Sequence, residues 1–121
     1  MTLKELYGQI GGDYDAALRI MMMESLAGRM IVKFAGDPTF EKLMAAGAAM
    51  DAGGIFHGAH ALKGVAANLG LTSLSRQASV LCEEFRPEHE RTMNDEEVQA
   101  RLQDLKETYD QILAGIQAYQ S

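Results

Sequence analysis

The chain has 121 residues, a length that suggests one domain, and we expect residues 1–121 to form a single folded unit. Apolar residues make up 47% and charged residues 23%, a composition typical of a globular protein and not of a disordered one. The net charge of −6 argues against nucleic acid as a partner, because binding a phosphate backbone needs a basic surface. The chain has one cysteine, no apolar run long enough to span a bilayer and no secretory signal, so we expect a cytoplasmic location without membrane contact.

Helix start and stop signals divide the first part of the chain, and no strand pattern is present. Thr2 is placed to cap a short first helix that ends before the glycines at 11–12, and Asp13 is placed to cap a second helix over residues 14 to about 34. This second helix is apolar on nearly all sides. It is therefore either a central helix of the core or a helix whose methionine-rich apolar strip is exposed and docks a partner.

The remaining segments also have helical signals. Asp37-Pro38 begins a third helix that runs to about residue 50, and a fourth helix runs from about residue 54 to residue 69. Thr72 is placed to cap a fifth helix, and Asn94 to cap the last one as part of a capping box with Glu97. Apolar positions step by three and four along these two helices: Leu71, Leu74, Ala78, Leu81, Phe85, and Val98, Leu102, Leu105, Tyr109, Ile112, Ile116, Tyr119. The pattern predicts an all-α fold, an antiparallel four-helix bundle with one or two short accessory helices near the N-terminus.

The fourth helix carries the residues with chemical potential. On a helix that turns about 100° per residue, Ile55, Ala59, Leu62, Ala66 and Leu69 share one core-facing stripe. His60 lies about 140° from Ile55 and Gly64 about 180°, so both point outward. An imidazole with an ordinary pKa of about 6.5 is mainly neutral at pH 7 and can act as a nucleophile. Lys63 can bring a positive charge beside it, while Gly64 and Ala67 leave room for a second protein to approach.

The pattern His60-Ala-Leu-Lys63-Gly64, followed by Ala67-Asn68-Leu69-Gly70-Leu71, resembles the signature of histidine phosphotransfer (HPt) domains, the shuttle modules of bacterial two-component phosphorelays. The resemblance implies a helical bundle in which His60 accepts a phosphoryl group from a receiver-domain aspartate, or a kinase, and passes it to another receiver aspartate. It implies that Lys63 is the supporting cation, that Gly64 is the clearance residue, and that Asn68 and Gly70 are structural and close the helix.

The resemblance also implies the partners, namely response-regulator receiver domains and a (hybrid) sensor histidine kinase. The receiver would hold the Mg²⁺, and this chain would need no cofactor of its own. No Gly-rich nucleotide motif is present, so we expect no ATP-dependent kinase activity and no enzyme in its own right. The regularly spaced apolar residues of the fifth and last helices can all be buried inside one bundle, which favours a monomer. The alternative is a helical binding module that docks a receiver or kinase domain without being phosphorylated.

Two residues one turn before His60 leave several interpretations open. His57, at about 200° on the same wheel, is a plain surface histidine, a group that modulates His60, or half of a metal pair. Two histidines without further ligands make a poor metal site, so we expect none. Phe56, at about 100°, either packs against a neighbouring helix or belongs with His57, Gly64 and Ala67 to a docking surface.

Overall fold

The computed structural model describes residues 1–120, which form seven α-helices and no strand. The helices are α1 (Leu3–Gln9), α2 (Tyr14–Met21), α3 (Glu24–Phe34), α4 (Thr39–Ala48), α5 (Ala52–Asn68), α6 (Thr72–Glu84) and α7 (Asp95–Gln120). Within these residues, none of the helices has the length and apolar character needed to cross a membrane. The all-α fold predicted from the sequence is confirmed.

Four helical walls enclose one core. α5 packs against α6, α6 against α7 and α7 against α3, while α2 packs against α5 and closes the ring. The consecutive helices α2 and α3 therefore supply one wall together. The short helices α1 and α4 are accessory: α1 packs on α2 and α7, and α4 packs on α5 and α7. This is the predicted four-helix bundle with one of its sides divided in two.

The prediction of one helix over residues 14 to 34 is wrong, because the segment breaks at Met22. α2 ends at Met21, Met22 adopts a left-handed conformation with φ of 71°, and α3 begins at Glu24. The break lets α2 pack against α5 while α3 packs against α7. It also leaves Met22 81% exposed and Ile20 and Met23 exposed beside it. We call Ile20, Met22 and Met23 the apolar strip; the same segment buries Ala17, Ala27, Ile31 and Phe34, so it is part of the bundle core and also carries an exposed apolar strip.

Three of the predicted helix caps are confirmed. The Thr2 hydroxyl accepts a hydrogen bond from the backbone N–H of Glu5, whose carboxylate accepts one from the backbone N–H of Thr2. Asn94 and Glu97 form the same reciprocal pair at α7. Asp13 accepts from the backbone N–H of Ala16 at 2.9 Å. Such caps satisfy N–H groups that have no acceptor inside the helix.

Three other starts differ from prediction by one or two residues. α4 begins at Thr39, one residue later than predicted, although Asp37 still accepts from the backbone N–H of Thr39 at 2.8 Å. α5 begins at Ala52, two residues earlier than predicted, because Asp51 serves as its cap. Thr72 is the first residue of α6 and not its cap, and its hydroxyl donates a hydrogen bond to the Gly70 carbonyl at 3.4 Å in the preceding turn.

The turn after α5 joins that helix to the N-terminal part of the chain. Gly70 has a φ of +69°, and a Cβ at this position would collide with the carbonyl oxygen of Asp13. The backbone N–H of Asp13 donates to the Gly70 carbonyl at 2.7 Å, and the Tyr7 hydroxyl donates to the Leu69 carbonyl at 2.6 Å. Burial raises the pKa of Tyr7 to about 12, so the hydroxyl keeps the proton it donates. These contacts fix where α5 ends.

The charged connection between α6 and α7 is held by the buried carboxylate of Glu84. This carboxylate accepts hydrogen bonds from the backbone N–H groups of Thr92 and Met93, at 2.7 and 2.5 Å, and from the Thr92 hydroxyl at 2.9 Å. His89 lies 3.7 Å away. The bond from the Met93 N–H is the main cause that lowers the pKa of Glu84. A buried carboxylate needs such partners, since burial alone would favour its neutral form.

Candidate functional site

α5 turns one face to the core and the opposite face to solvent. The predicted stripe is buried: Ile55, Ala59, Leu62 and Ala66 are 0% exposed and Leu69 is 5% exposed. The exposed row on the other side consists of His57, His60, Ala61, Gly64, Ala67 and Asn68. The helical-wheel prediction for this segment is therefore confirmed. Apart from the two histidines and Asn68, the row is made of glycine and alanine, so little side-chain bulk surrounds the His60 ring.

The imidazole of His60 is exposed, but two neighbours hold it. The Sγ atom of Cys82, a fully buried residue of α6, lies 3.9 Å from Nδ1. The ring of Phe56, one turn earlier on α5, stacks on the imidazole with 6.1 Å between ring centroids and 27° between planes. The Nδ1 edge therefore faces the protein. Nε2, the ring nitrogen farther from the backbone, is the one left for an incoming group.

Positive charge lies on the α6 side of His60. The guanidinium of Arg86 sits 5.6 Å from the centroid of the Phe56 ring, in cation–π geometry. The same guanidinium forms two hydrogen bonds with Glu83, at 2.6 and 3.1 Å. These bonds are the main cause that lowers the pKa of Glu83, and the charge of Lys63 contributes in the same direction. Arg86 is thus paired with Glu83, and Lys63 is a second cation whose charge acts on the same carboxylate.

Lys63 is half-buried at the boundary between α5 and α6. The Ser75 hydroxyl donates a hydrogen bond to the Lys63 carbonyl at 3.2 Å, which ties the two helices together at this level. The backbone of Lys63 is thereby fixed next to α6. Lys63 follows His60 by about one helical turn on α5.

The glycines of α5 have two different surroundings. A Cβ at Gly58 would lie 3.1 Å from both Cα and Cβ of Leu43, so this glycine permits the close approach of α4. A Cβ at Gly64 would meet nothing within 4 Å. Packing therefore explains the absence of a side chain at Gly58 but not at Gly64. The open space at Gly64 lies next to His60.

His57 and His60 both lie on the exposed row of α5, and both rings contact Phe56. The His57 ring packs edge-on against Phe56 with 5.4 Å between centroids, and it lines a shallow groove between α4 and α5 together with Lys42 and Gly58. Among residues 1–120, no group of three or more metal-ligating side chains comes together. Phe56 contacts both histidines and also Arg86, which follows the end of α6, and it remains half-exposed.

The remaining candidates lie farther along α5. Ala67 is exposed on the side of His60. Asn68 is the last residue of the helix, and its exposed side chain lines a groove with Met30 and Val65. Gly70, two residues later, takes the left-handed conformation that follows many helix C-termini.

Comparison with known protein families matches residues 35–115 to the Hpt domain. This match covers more than half of the chain, so the chain belongs to the Hpt domain family. Members of the family are the phosphotransfer modules of phosphorelays and work with the receiver and kinase proteins of two-component systems. No curated protein and no solved structure matches the chain significantly.

Sequence reasoning did not identify the contribution of α6 to this site. Cys82 of α6 is fully buried, and its contact with His60 does not follow from the sequence pattern. Ser75 lies two turns before Cys82 on the same side of α6, and Arg86 follows the end of that helix. A helical wheel drawn for α6 groups Ser75 and Cys82 on one side, which is the signal that could have pointed to them.

Proposed function

We propose that His60 accepts a phosphoryl group from the aspartyl phosphate of a receiver domain, or from a kinase, and passes it to another receiver aspartate. The observation that carries this proposal is the exposed His60 imidazole beside the open space at Gly64. Family membership supports the class of reaction, and the exposure of His60 on α5 supports the choice of this residue.

The transfer step needs only one nucleophilic atom from this chain. The Nε2 lone pair attacks phosphorus, the bond from phosphorus to the aspartyl oxygen breaks, and its electron pair remains on the leaving carboxylate. Nδ1 keeps its proton, so no proton has to move. The return step reverses these changes with another receiver aspartate as the nucleophile. In this proposal Mg²⁺ belongs to the receiver, and this chain needs no cofactor.

The neighbours of His60 have supporting roles in the proposal. Lys63 places a cation beside the phosphoryl oxygens, where charge-assisted contacts are strong. Gly64 and Ala67 let the receiver approach the ring, and Phe56 and His57 border the surface on which it docks. Asn68 and Gly70 act structurally by ending α5.

The test compares His60→Gln with the matched control His57→Gln, which changes the other exposed histidine of the same helix face. Each protein is mixed with a labelled, phosphorylated receiver, and acid-labile label is followed over time. We expect label on the parent protein and on His57→Gln, and none on His60→Gln. Label that persists on His60→Gln contradicts the assignment. ATP alone should label none of the three, since we propose no kinase activity.

The exposed apolar strip supports a second candidate, a binding module that docks a receiver or kinase domain without phosphorylation. Calorimetry distinguishes the two. Binding of a receiver, with no phosphohistidine formed from any phosphorylated donor, would favour the second candidate. Loss of binding in a variant with Met22→Ser and Met23→Ser would assign that binding to the strip.

A further inference from the structure

Cys82 is a buried thiol that the proposed transfer step does not use. It is 0% exposed, yet its Sγ lies 3.9 Å from Nδ1 of the exposed His60. Sulfur is a large and weak hydrogen-bond acceptor, so contacts to it are longer than contacts to oxygen. The Sγ atom of Cys82, a neutral polar atom, therefore lies on the buried side of the imidazole. This is the position where Nδ1, the second ring nitrogen, needs a hydrogen-bond partner.

We propose that Cys82 is a positioning residue for His60. Its sulfur accepts a hydrogen bond from Nδ1–H and so holds the imidazole in the tautomer whose Nε2 carries the free lone pair. This inference rests on the proposed role of His60. Free imidazole side chains in water favour the opposite tautomer, and the partner of one ring nitrogen decides which nitrogen keeps the proton.

Two contacts and the burial of Cys82 fix the relation between the two side chains. The Ser75 hydroxyl bonds to the Lys63 carbonyl at 3.2 Å and so sets the position of α6 along α5. The Phe56 ring stacks on the imidazole and restricts its rotation. Cys82 itself has no freedom to move away, because it is enclosed in the core. The contact is thus built into the packing of two helices and does not depend on a mobile surface group.

A neutral partner suits the transfer step. A carboxylate at this place would also orient the ring, but it would stabilise the doubly protonated imidazolium, which has no lone pair. A thiol orients the ring without adding charge. The thiol S–H can itself donate a hydrogen bond to a backbone carbonyl one turn earlier on α6, as hydroxyl side chains on helices often do. The sulfur lone pairs then remain available to accept a hydrogen bond from Nδ1–H.

The test begins with the tautomer of His60 in the free, unphosphorylated protein. Long-range ¹H–¹⁵N spectra of histidine-labelled protein report which nitrogen is protonated, and the signal that disappears in His60→Gln belongs to His60. We expect Nδ1–H in the parent protein and in Cys82→Ser, and a shift towards Nε2–H in Cys82→Ala and in Cys82→Val. Valine fills the site without hydrogen bonding, so it separates the bond from the packing. An Nε2–H tautomer in the parent protein, or no shift in the valine variant, overturns the proposal.

Rates of transfer from a phosphorylated receiver complete the test, with circular dichroism to confirm folding. Cys82→Ala and Cys82→Val should be slower by roughly three- to tenfold, the range expected for losing one weak hydrogen bond, and Cys82→Ser should recover most of the rate. A tautomer that shifts without any change in rate refutes the positioning role. If even the parent protein takes no label, the proposed function fails, whereas the tautomer result still decides the hydrogen bond.

Discussion

Substitutions at Gly64 test two properties separately: the stability of α5 and the proposed role of Gly64 in leaving room for a receiver beside His60. An internal glycine weakens a helix because its backbone loses the most freedom on folding. A Cβ at Gly64 would meet nothing within 4 Å, so a side chain there encounters no obstacle within the protein. We therefore expect Gly64→Ala and Gly64→Gln to stabilise the fold, and Gly64→Gln to slow phosphoryl transfer strongly.

The size of the effect follows from the surroundings. Replacing an exposed helical glycine by alanine is worth up to about 1 kcal/mol, and glutamine is nearly as good a helix former. For a chain of this length a gain of that size raises Tm by about 3–5 °C. The glutamine side chain also fills the approach to Nε2 of His60, which alanine leaves largely open. Gly64→Ala should therefore keep most of the transfer rate, while Gly64→Gln should lose it.

Two matched controls use other glycines of the chain. Gly8 lies on α1, where a Cβ also meets nothing within 4 Å, so Gly8→Gln should leave transfer unchanged. At Gly58 a Cβ would lie 3.1 Å from the Leu43 backbone, and Gly58→Ala should lower the free energy of unfolding by about 1 kcal/mol, as overpacking commonly does.

Urea unfolding followed by circular dichroism measures stability, and single-turnover transfer from a phosphorylated receiver measures function. The clearance role of Gly64 is refuted if folded Gly64→Gln transfers at the parent rate. The packing argument is refuted if Gly64→Ala is less stable than the parent protein or if Gly58→Ala is more stable.

Three further predictions concern other parts of the structure. Lys63→Ala should slow transfer roughly tenfold without abolishing it, since one charge-assisted contact is lost, and an unchanged single-turnover rate would remove the lysine from the mechanism. The pKa of Glu84 is lowered from its ordinary value of 4.5, mainly by the Met93 N–H, so its ionised form stabilises the fold above that pH and this contribution is lost as the pH falls through the lower folded value. Glu84→Gln should reduce this acid-dependent loss in urea titrations between pH 7 and pH 3, and an unaltered pH profile would contradict the assignment. Gly70→Ala should cost roughly 2 kcal/mol or more, because alanine is strained at positive φ and its Cβ meets the Asp13 carbonyl; parent-like urea stability would contradict this.

The sequence is sufficient to predict what depends on one helix at a time. The buried stripe of α5 and the outward direction of His60 follow from helical geometry alone. The caps at Thr2, Asp13 and Asn94 are equally local, because each depends on residues within one turn. Contacts between helices are different in kind. The distance between Cys82 and His60 depends on the position of α6 along the axis of α5, and no local sequence pattern encodes that position.

The break at Met22 shows a second limit of sequence reasoning. Apolar residues recur at steps of four from Leu18 to Phe34, no proline interrupts them, and the one glycine, Gly28, lies inside α3 and not at the break, so periodicity predicts a continuous helix. Tertiary packing overrides that pattern, since two shorter helices reach two different neighbours. Met22 fits the four-residue spacing of apolar positions but is 81% exposed, so its apolar character did not predict its burial.

The same break has a consequence for amide hydrogen exchange. The first N–H groups of any helix lack acceptors within that helix, and the cap residue of α3, Met23, offers no side-chain acceptor to replace them. The backbone amides of Glu24, Ser25 and Leu26 should therefore exchange with solvent rapidly, between the protected amides of α2 and those of α3. A segment that looks continuous in the sequence would then give two protected stretches separated by about one turn of fast exchange.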